Sequence, residues 1–103
     1  MKRKLRITSK QRSYLAGLAQ KIDATVYIGK QGLTENVIKE IENGLASRGL
    51  VKVKIQEGCL LKPKETALEV APQLKAEFVQ AIGRKFILYR KSKDNQQIVL
   101  PAR

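Results

Sequence analysis

The architecture of this chain is set by residues 25–34, which read Thr25-Val26-Tyr27-Ile28-Gly29-Lys30-Gln31-Gly32-Leu33-Thr34. The mostly apolar residues at 25–28 predict a short strand, and Thr34 is typical of the residue that caps the start of a helix. A tight loop with exposed backbone amides and one positive charge is predicted for Gly29, Lys30, Gln31 and Gly32. Because glycine has no Cβ, such a loop can approach a phosphate group closely, and the following helix points its positive end at the same place.

Hydrophobic periodicity predicts a helix on each side of this loop. Helix 1 is predicted over residues 9–21, with Thr8 or Ser9 as its N-cap, and helix 2 over residues 35–48, with Gly49 just beyond its end. The predicted buried side chains of the two helices are Leu15, Leu18, Ile22, Val37, Ile38, Ile41 and Leu45.

The residue pattern in the second half of the chain predicts a further strand, a helix and a hairpin. Residues 50–55 alternate apolar and basic side chains, as a strand with one wet face does. Helix 3 is predicted to begin at Pro63 and to end or kink at Pro72, because proline lacks an amide donor. Its predicted apolar side consists of Ala67, Leu68, Ala71 and Leu74.

Strands 3 and 4 are predicted over residues 77–82 and 85–89, joined by a tight Gly83-Arg84 turn, and residues 98–100 could add a short edge strand. Strands joined by helices should be parallel, so strands 1 to 3 should run together and strand 4 should return antiparallel to strand 3. The prediction is an α/β fold in the order α-β-α-β-α-β-β, a small two-layer mixed sheet of four strands with three helices. We expect one domain over residues 1–103.

The charge of the chain is large and unevenly placed. The 103 residues carry a formal net charge of +12, and 43% of them are hydrophobic, enough for one packed core. Residues 1–33 hold eight basic residues and one acid (+7), residues 34–72 hold six of each, and residues 73–103 hold seven basic residues and two acids (+5). This segregation favours a phosphate-rich partner. Charge alone does not choose between a nucleic acid and a membrane surface.

Several other functions are disfavoured by composition. There is no His and a single Cys, Cys59, so the usual zinc sets, an internal disulfide and a His-activated nucleophile are absent. We expect Cys59 to be a small apolar filler in a loop or strand end, and the protein to have no enzymatic activity and no cofactor. No apolar run is long enough to span a bilayer and the N-terminus is unlike a secretory signal, so we expect a cytoplasmic protein.

The predicted binding surface combines the glycine loop with two basic segments. Its further members are Lys2, Arg3, Lys4, Arg6, Lys10 and Arg12 in the N-terminal arm and helix 1, and Arg84, Lys85 and Arg90 in the final hairpin. For Lys52 and Lys54 on the wet face of strand 2, a solvent role and a second binding surface both remain open. The aromatic residues are predicted to be core or rim, with no pair exposed on the strands for stacking.

The sequence resembles the CRM domain, named for chloroplast RNA splicing and ribosome maturation, over about residues 4–91. The resemblance is carried by Leu5, Thr8, Gln11, Arg12 and Leu15, by residues 26–34 and 50–54, by Val79-Gln80-Ala81-Ile82-Gly83-Arg84 and by Leu88-Tyr89-Arg90. A chain of this length is similar to the single-domain, YhbY-like bacterial members. The resemblance leaves a basic N-terminal arm before the core and a polar tail after it.

The resemblance implies a fold similar to the C-terminal domain of translation initiation factor 3 and RNA binding that involves the glycine loop. It also implies an association with precursors of the large ribosomal subunit. We therefore expect a monomeric RNA-binding protein that clamps ribosomal RNA during ribosome assembly. A permanent ribosomal protein, a general binding module for structured RNA or DNA, and an enzyme acting on RNA are the alternatives.

Overall fold

In the computed structural model, residues 7–91 and Pro101 are described. They form the helices and strands in the predicted order: α1 Ser9–Ala19, β1 Val26–Ile28, α2 Glu35–Arg48, β2 Leu50–Ile55, α3 Pro63–Gln73, β3 Glu77–Ile82 and β4 Lys85–Tyr89. The proposed edge strand at residues 98–100 lies outside the described residues.

The sheet has the strand order β1-β2-β4-β3. β1 and β2 are parallel, and β4 is antiparallel to both β2 and β3, so β1, β2 and β3 run in one direction as predicted. The last residues of these three strands and the β3–β4 turn therefore meet at one end of the sheet, which we call the carboxyl edge. The end at which β4 finishes is called the far edge.

Helices pack on both faces of the sheet. On one face, α2 and α3 cover a core that includes Ile28, Val53 and Phe86. The connections from β1 through α2 to β2 and from β2 through α3 to β3 cross the sheet in the same direction. Because such connections share one handedness, both helices lie on the same face. On the other face, α1 buries Leu15 against a smaller cluster that includes Ile87. The predicted layer of helix on sheet is present, and α1 adds a partial third layer.

Helix α1 is shorter than predicted. Thr8 and Gln11 form a capping box at its start, with Thr8 Oγ1 accepting from the Gln11 amide at 3.1 Å and Gln11 Oε1 accepting from the Thr8 amide at 3.0 Å. The helix ends at Ala19, and Lys52 Nζ donates to the carbonyl oxygens of Ala19 (3.0 Å) and Ile22 (3.1 Å). The prediction that Ile22 faces the core is wrong, because the chain leaves the helix before that residue, whose exposed fraction is 38%.

The ends of α2 and α3 agree with their sequence signals. Gly49 has φ +83° just after α2, and α3 stops at Gln73, one residue beyond Pro72. One predicted core residue of α3, Leu68, is exposed instead. The buried stripe of this helix includes Val70, which the sequence analysis did not select, and Leu68 lies off that stripe.

Candidate nucleic-acid interface

The glycine loop is a tight turn at the carboxyl edge. The Gly32 amide donates to the Gly29 carbonyl oxygen at 3.0 Å, and Gly32 has φ +74°, which side chains with a Cβ rarely adopt. Lys30 and Gln31 are exposed between them. Thr34 then caps α2 by accepting a hydrogen bond from the Val37 amide at 3.2 Å. The predicted loop and the predicted N-cap are both confirmed.

A second loop, residues 56–62 between β2 and α3, packs against the first. The Gln56 amide donates to the Ile28 carbonyl oxygen at 2.9 Å. The Lys30 side chain lies against Gly58, where an added Cβ would come within 3.2 Å of Lys30 Cε. Likewise, a Cβ added at Gly29 would lie 3.3 Å from Gln56 Oε1. The two loops therefore form one packed unit.

Arg84 in the β3–β4 turn fixes the second loop. Its Nε donates to the Ile55 carbonyl oxygen at 2.9 Å, and its Nη2 donates to the carbonyl oxygens of Gln56 (2.6 Å) and Cys59 (3.4 Å). In return, the Ile55 amide donates to the Arg84 carbonyl oxygen at 2.7 Å. The guanidinium group thus positions the loop against which Lys30 packs. Cys59 lies buried in this loop, which agrees with the predicted apolar filler.

Other cations at the carboxyl edge are unpaired within the described part of the chain. Lys30, Lys54 and Lys85 make no ion pair and no side-chain hydrogen bond to another described residue. The amino-terminal ends of α2 and α3 lie at the same edge, because each helix follows a parallel strand. Both helix dipoles therefore add positive potential there.

The remaining predicted site residues lie elsewhere. Lys10 and Arg12 are exposed on α1, and Arg12 Nε donates to the carbonyl oxygen of Phe78, near the start of β3 and so toward the far edge. Arg90 follows β4 at the far edge, where it forms a two-point ion pair with Glu42. The arm residues lie outside the described residues: Lys2, Arg3, Lys4 and Arg6.

The ion pair between Arg90 and Glu42 should make stability depend on acid pH. Both N–O distances are 2.8 Å, and Arg90 also donates to the Leu74 carbonyl oxygen at 3.0 Å. The hydrogen bond from Arg90 holds the pKa of Glu42 below its ordinary value of 4.5. Since the pKa is lowered on folding, the pair stabilises the fold above about pH 4.5 and this stabilisation is lost as the pH falls through the folded value.

We expect Glu42→Gln to have a lower melting temperature than wild type at pH 7. Below pH 4 the melting temperatures of the two proteins should become similar, because Glu42 is then increasingly protonated in wild type as well. Both side chains are partly exposed, so the effect at pH 7 should be modest. Thermal melts from pH 3 to pH 7 check this. A constant offset between the two proteins across that range would contradict the assignment to Glu42.

Comparison with known proteins shows the family to which the chain belongs. The profile of the CRS1 / YhbY (CRM) domain matches residues 7–90. This chain belongs to that family. The match spans both loops, the Gly83-Arg84 turn and Arg90, so the carboxyl edge is part of the CRM domain.

Relatives of this CRM domain are named for RNA binding. The chain is 34% identical to the "Probable RNA-binding protein YqeI" of Bacillus subtilis over 92% of this chain and 99% of that protein. It is 38% identical to an "RNA-binding protein" of Haemophilus influenzae over 92% and 95% of the two chains. Among solved structures, it is similar to "the hypothetical protein SAV1595 from Staphylococcus aureus, a putative RNA binding protein". The identity is 41%, the TM-score is 0.79, and the match covers 92% of this chain and 99% of that chain.

Sequence reasoning missed two parts of the carboxyl edge of this CRM domain. A connection was expected over residues 58–61, but its packing against the glycine loop at Gly58, which has φ +90°, was not predicted. Tyr27 was predicted to be core or rim, yet its exposed fraction is 48%. Its alternation with the buried Val26 and Ile28 was the available signal, because neighbours along a strand point to opposite faces.

Within residues 7–91 of the CRM domain, no helix is long and apolar enough to cross a membrane. The same residues contain no group of three His, Cys, Asp or Glu side chains placed to hold a metal ion.

Proposed function

We propose that this protein is a non-catalytic RNA-binding protein whose carboxyl edge holds the phosphate backbone of ribosomal RNA. The observation that carries the proposal is the packed pair of loops, which presents the exposed Lys30 on a fixed support at the same end of the sheet as the unpaired Lys54 and Lys85. The RNA-binding names of the relatives support RNA as the partner.

The proposed mechanism is capture of a phosphate group by the glycine loop. Lys30 supplies charge, and the backbone amides of the turn together with the start of α2 supply hydrogen-bond donors. The hydrogen bond between Gly32 and Gly29 fixes the turn before RNA arrives. Little ordering of the loop is therefore needed on binding, which favours affinity.

The other cations divide into two roles. Arg84 and Arg90 act through the fold, since their guanidinium groups are held by carbonyl oxygens and by Glu42. Lys10 and Arg12 lie toward the far edge and would meet a different part of a long RNA. Contacts of lysine and arginine to phosphate groups fix the position of the protein on the RNA, and they depend on the shape of the RNA more than on its bases. The arm residues extend the surface in this proposal: Lys2, Arg3, Lys4 and Arg6.

We further propose a role in assembly of the large ribosomal subunit, as a cytoplasmic monomer. The support is the resemblance of the sequence to the YhbY-like members. A permanent ribosomal protein would also be basic, so neither charge nor fold separates the two roles. Fractionation of a cell extract on a sucrose gradient separates the two: an assembly factor should migrate with large-subunit precursors, whereas equal amounts on mature ribosomes would contradict the assembly role.

RNA binding should weaken steeply as salt increases. Each phosphate contact releases counterions, so contacts to three or four phosphates predict a loss of roughly 20- to 50-fold in affinity between 50 and 200 mM salt. Fluorescence anisotropy with a labelled fragment of ribosomal RNA measures this dependence. A flat dependence would remove the phosphate mechanism.

The choice of RNA is tested by competition with duplex DNA of equal length at the same salt. We expect ribosomal RNA to displace the labelled fragment at a lower concentration than DNA does. A preference for duplex DNA would contradict the proposed function. Incubation with the RNA and Mg²⁺ should leave the RNA intact, and turnover would indicate an enzyme.

A further inference from the structure

Four side chains form a row across the sheet just before the carboxyl edge. Tyr27 on β1 pairs with Lys54 on β2, Lys54 pairs with Lys85 on β4, and Lys85 pairs with Ile82 on β3. The strand neighbours of these residues pack in the core under α2 and α3: Val26, Val53, Ala81 and Phe86. The row therefore lies on the opposite face of the sheet. We call these four residues the open row.

Helix α1 shares this face but does not cover the open row. It packs on the half of the face nearer the far edge, where it buries Leu50, Ile87 and Tyr89. It ends at Ala19, whose carbonyl oxygen accepts a hydrogen bond from Lys52, two residues before Lys54 on the same strand. The open row is therefore left accessible.

The aromatic ring in the open row is both exposed and held. The exposed fraction of Tyr27 is 48%, and its hydroxyl group donates to the Ala24 carbonyl oxygen at 3.1 Å. This hydrogen bond anchors one end of the ring to the backbone. A ring held in this way loses little conformational freedom when it is contacted, which suits stacking.

The chemistry of the open row favours an anion with flat apolar groups. Two lysines lie between the aromatic ring and Ile82, whose exposed fraction is 57%, and the row contains no carboxylate. Neighbouring strands are about 4.8 Å apart, so a ligand on Tyr27 lies within reach of Lys54. The glycine loop begins two residues after Tyr27, which places the row directly beside the proposed phosphate site.

We propose that the open row binds a single-stranded segment of RNA, with one base stacked on Tyr27 and the adjacent phosphates held by Lys54 and Lys85. This inference rests on the proposed RNA-binding function and adds a contact to the bases. In a duplex, the base faces are covered by their neighbours, so only an unpaired segment can place a base on the ring.

The test compares Tyr27→Leu and Tyr27→Phe by anisotropy with three labelled probes of equal length. These are a single-stranded oligoribonucleotide, the same strand annealed to its complement, and an abasic strand with the same phosphates. We expect Tyr27→Leu to bind the single strand at least about fivefold more weakly and the abasic strand with unchanged affinity. Tyr27→Phe keeps the ring but loses the hydrogen bond to Ala24, so its loss on the single strand should be clearly smaller than that of Tyr27→Leu.

A second variant separates the phosphate contacts. Lys54→Ala combined with Lys85→Ala should weaken the single strand and the abasic strand by the same factor. Thermal melts should show that all variants are folded, since the substituted side chains in the row are at least partly exposed.

Three results would overturn the inference. An unchanged affinity of Tyr27→Leu for the single strand would exclude stacking. If Tyr27→Leu lost the same factor in affinity for the single strand and for the abasic strand, the ring would support the fold and not contact a base. If poly-glutamate with the same charge as the RNA displaced the labelled single strand as well as unlabelled RNA does, an acidic protein would be the better partner for the row. In each of these cases wild type still binds RNA, whereas failure of wild type to bind any probe would remove the proposed function as well.

Discussion

Replacing Lys30 and Gln31 together with alanine should weaken RNA binding by at least about tenfold and leave the melting temperature nearly unchanged. A hydrogen bond to a charged group contributes about 1.5–3 kcal/mol, and each 1.4 kcal/mol is tenfold in affinity. Both side chains are exposed and neither makes a side-chain hydrogen bond within the described residues, so the fold should not need them. Anisotropy and thermal melts on the same samples measure the two quantities.

A matched control is available at the far edge. Gln73→Ala combined with Lys91→Ala removes the same two residue types and the same charge from exposed positions away from the loops. We expect this variant to bind RNA within about twofold of wild type, because distant exposed charges are screened by salt. Equal losses in the two double variants would show that overall charge, and not the glycine loop, governs binding.

Arg84→Ala should lower both stability and RNA affinity. Loss of the guanidinium group leaves the carbonyl oxygens of Ile55, Gln56 and Cys59 without their side-chain donor. Because Arg84 is exposed and water can replace part of this bonding, we expect a loss of about 2 kcal/mol. For a domain of this size that corresponds to a melting temperature roughly 8–16 °C lower. RNA affinity should fall because the second loop no longer supports Lys30.

Two further variants show how Arg84 acts. Arg84→Lys keeps the charge but lacks the planar fork that reaches several carbonyl oxygens, so it should be nearly as unstable as Arg84→Ala. Lys85→Ala removes one charge beside it and should remain stable. If Arg84→Ala melted like wild type yet lost RNA affinity, the guanidinium group would contact RNA directly and the positioning role would be wrong.

Local patterns in the sequence were sufficient for most of the fold. The alternation in β2, the turn at Gly83 and the glycine that ends α2 are decided by neighbouring residues, and their predicted bounds agree with the structure. The glycine loop was predictable for the same reason. Its turn requires the positive φ of Gly32, and Thr34 can cap α2 without any distant partner.

What the sequence could not supply depends on contacts between distant residues. Arg84 and Arg90 were expected to face RNA because they are basic, but their side-chain partners lie 16 to 48 residues away along the chain. Lys52 likewise binds the carbonyl oxygens of Ala19, at the end of α1, and of Ile22, which lie 33 and 30 residues before it. The alternation in β1 indicates that Tyr27 lies on the face opposite Val26 and Ile28, but not that α1 leaves this face uncovered there.

The central claim is that RNA binds at the carboxyl edge. Titration of ¹⁵N-labelled protein with a ribosomal RNA fragment, followed by amide chemical shifts, tests this claim most directly. We predict the largest shifts at Lys30, Gln31 and Gly32, with further shifts at Lys54 and in the second loop. Shifts concentrated at the far edge, around Arg12 and Arg90, with the glycine loop unchanged, would contradict it.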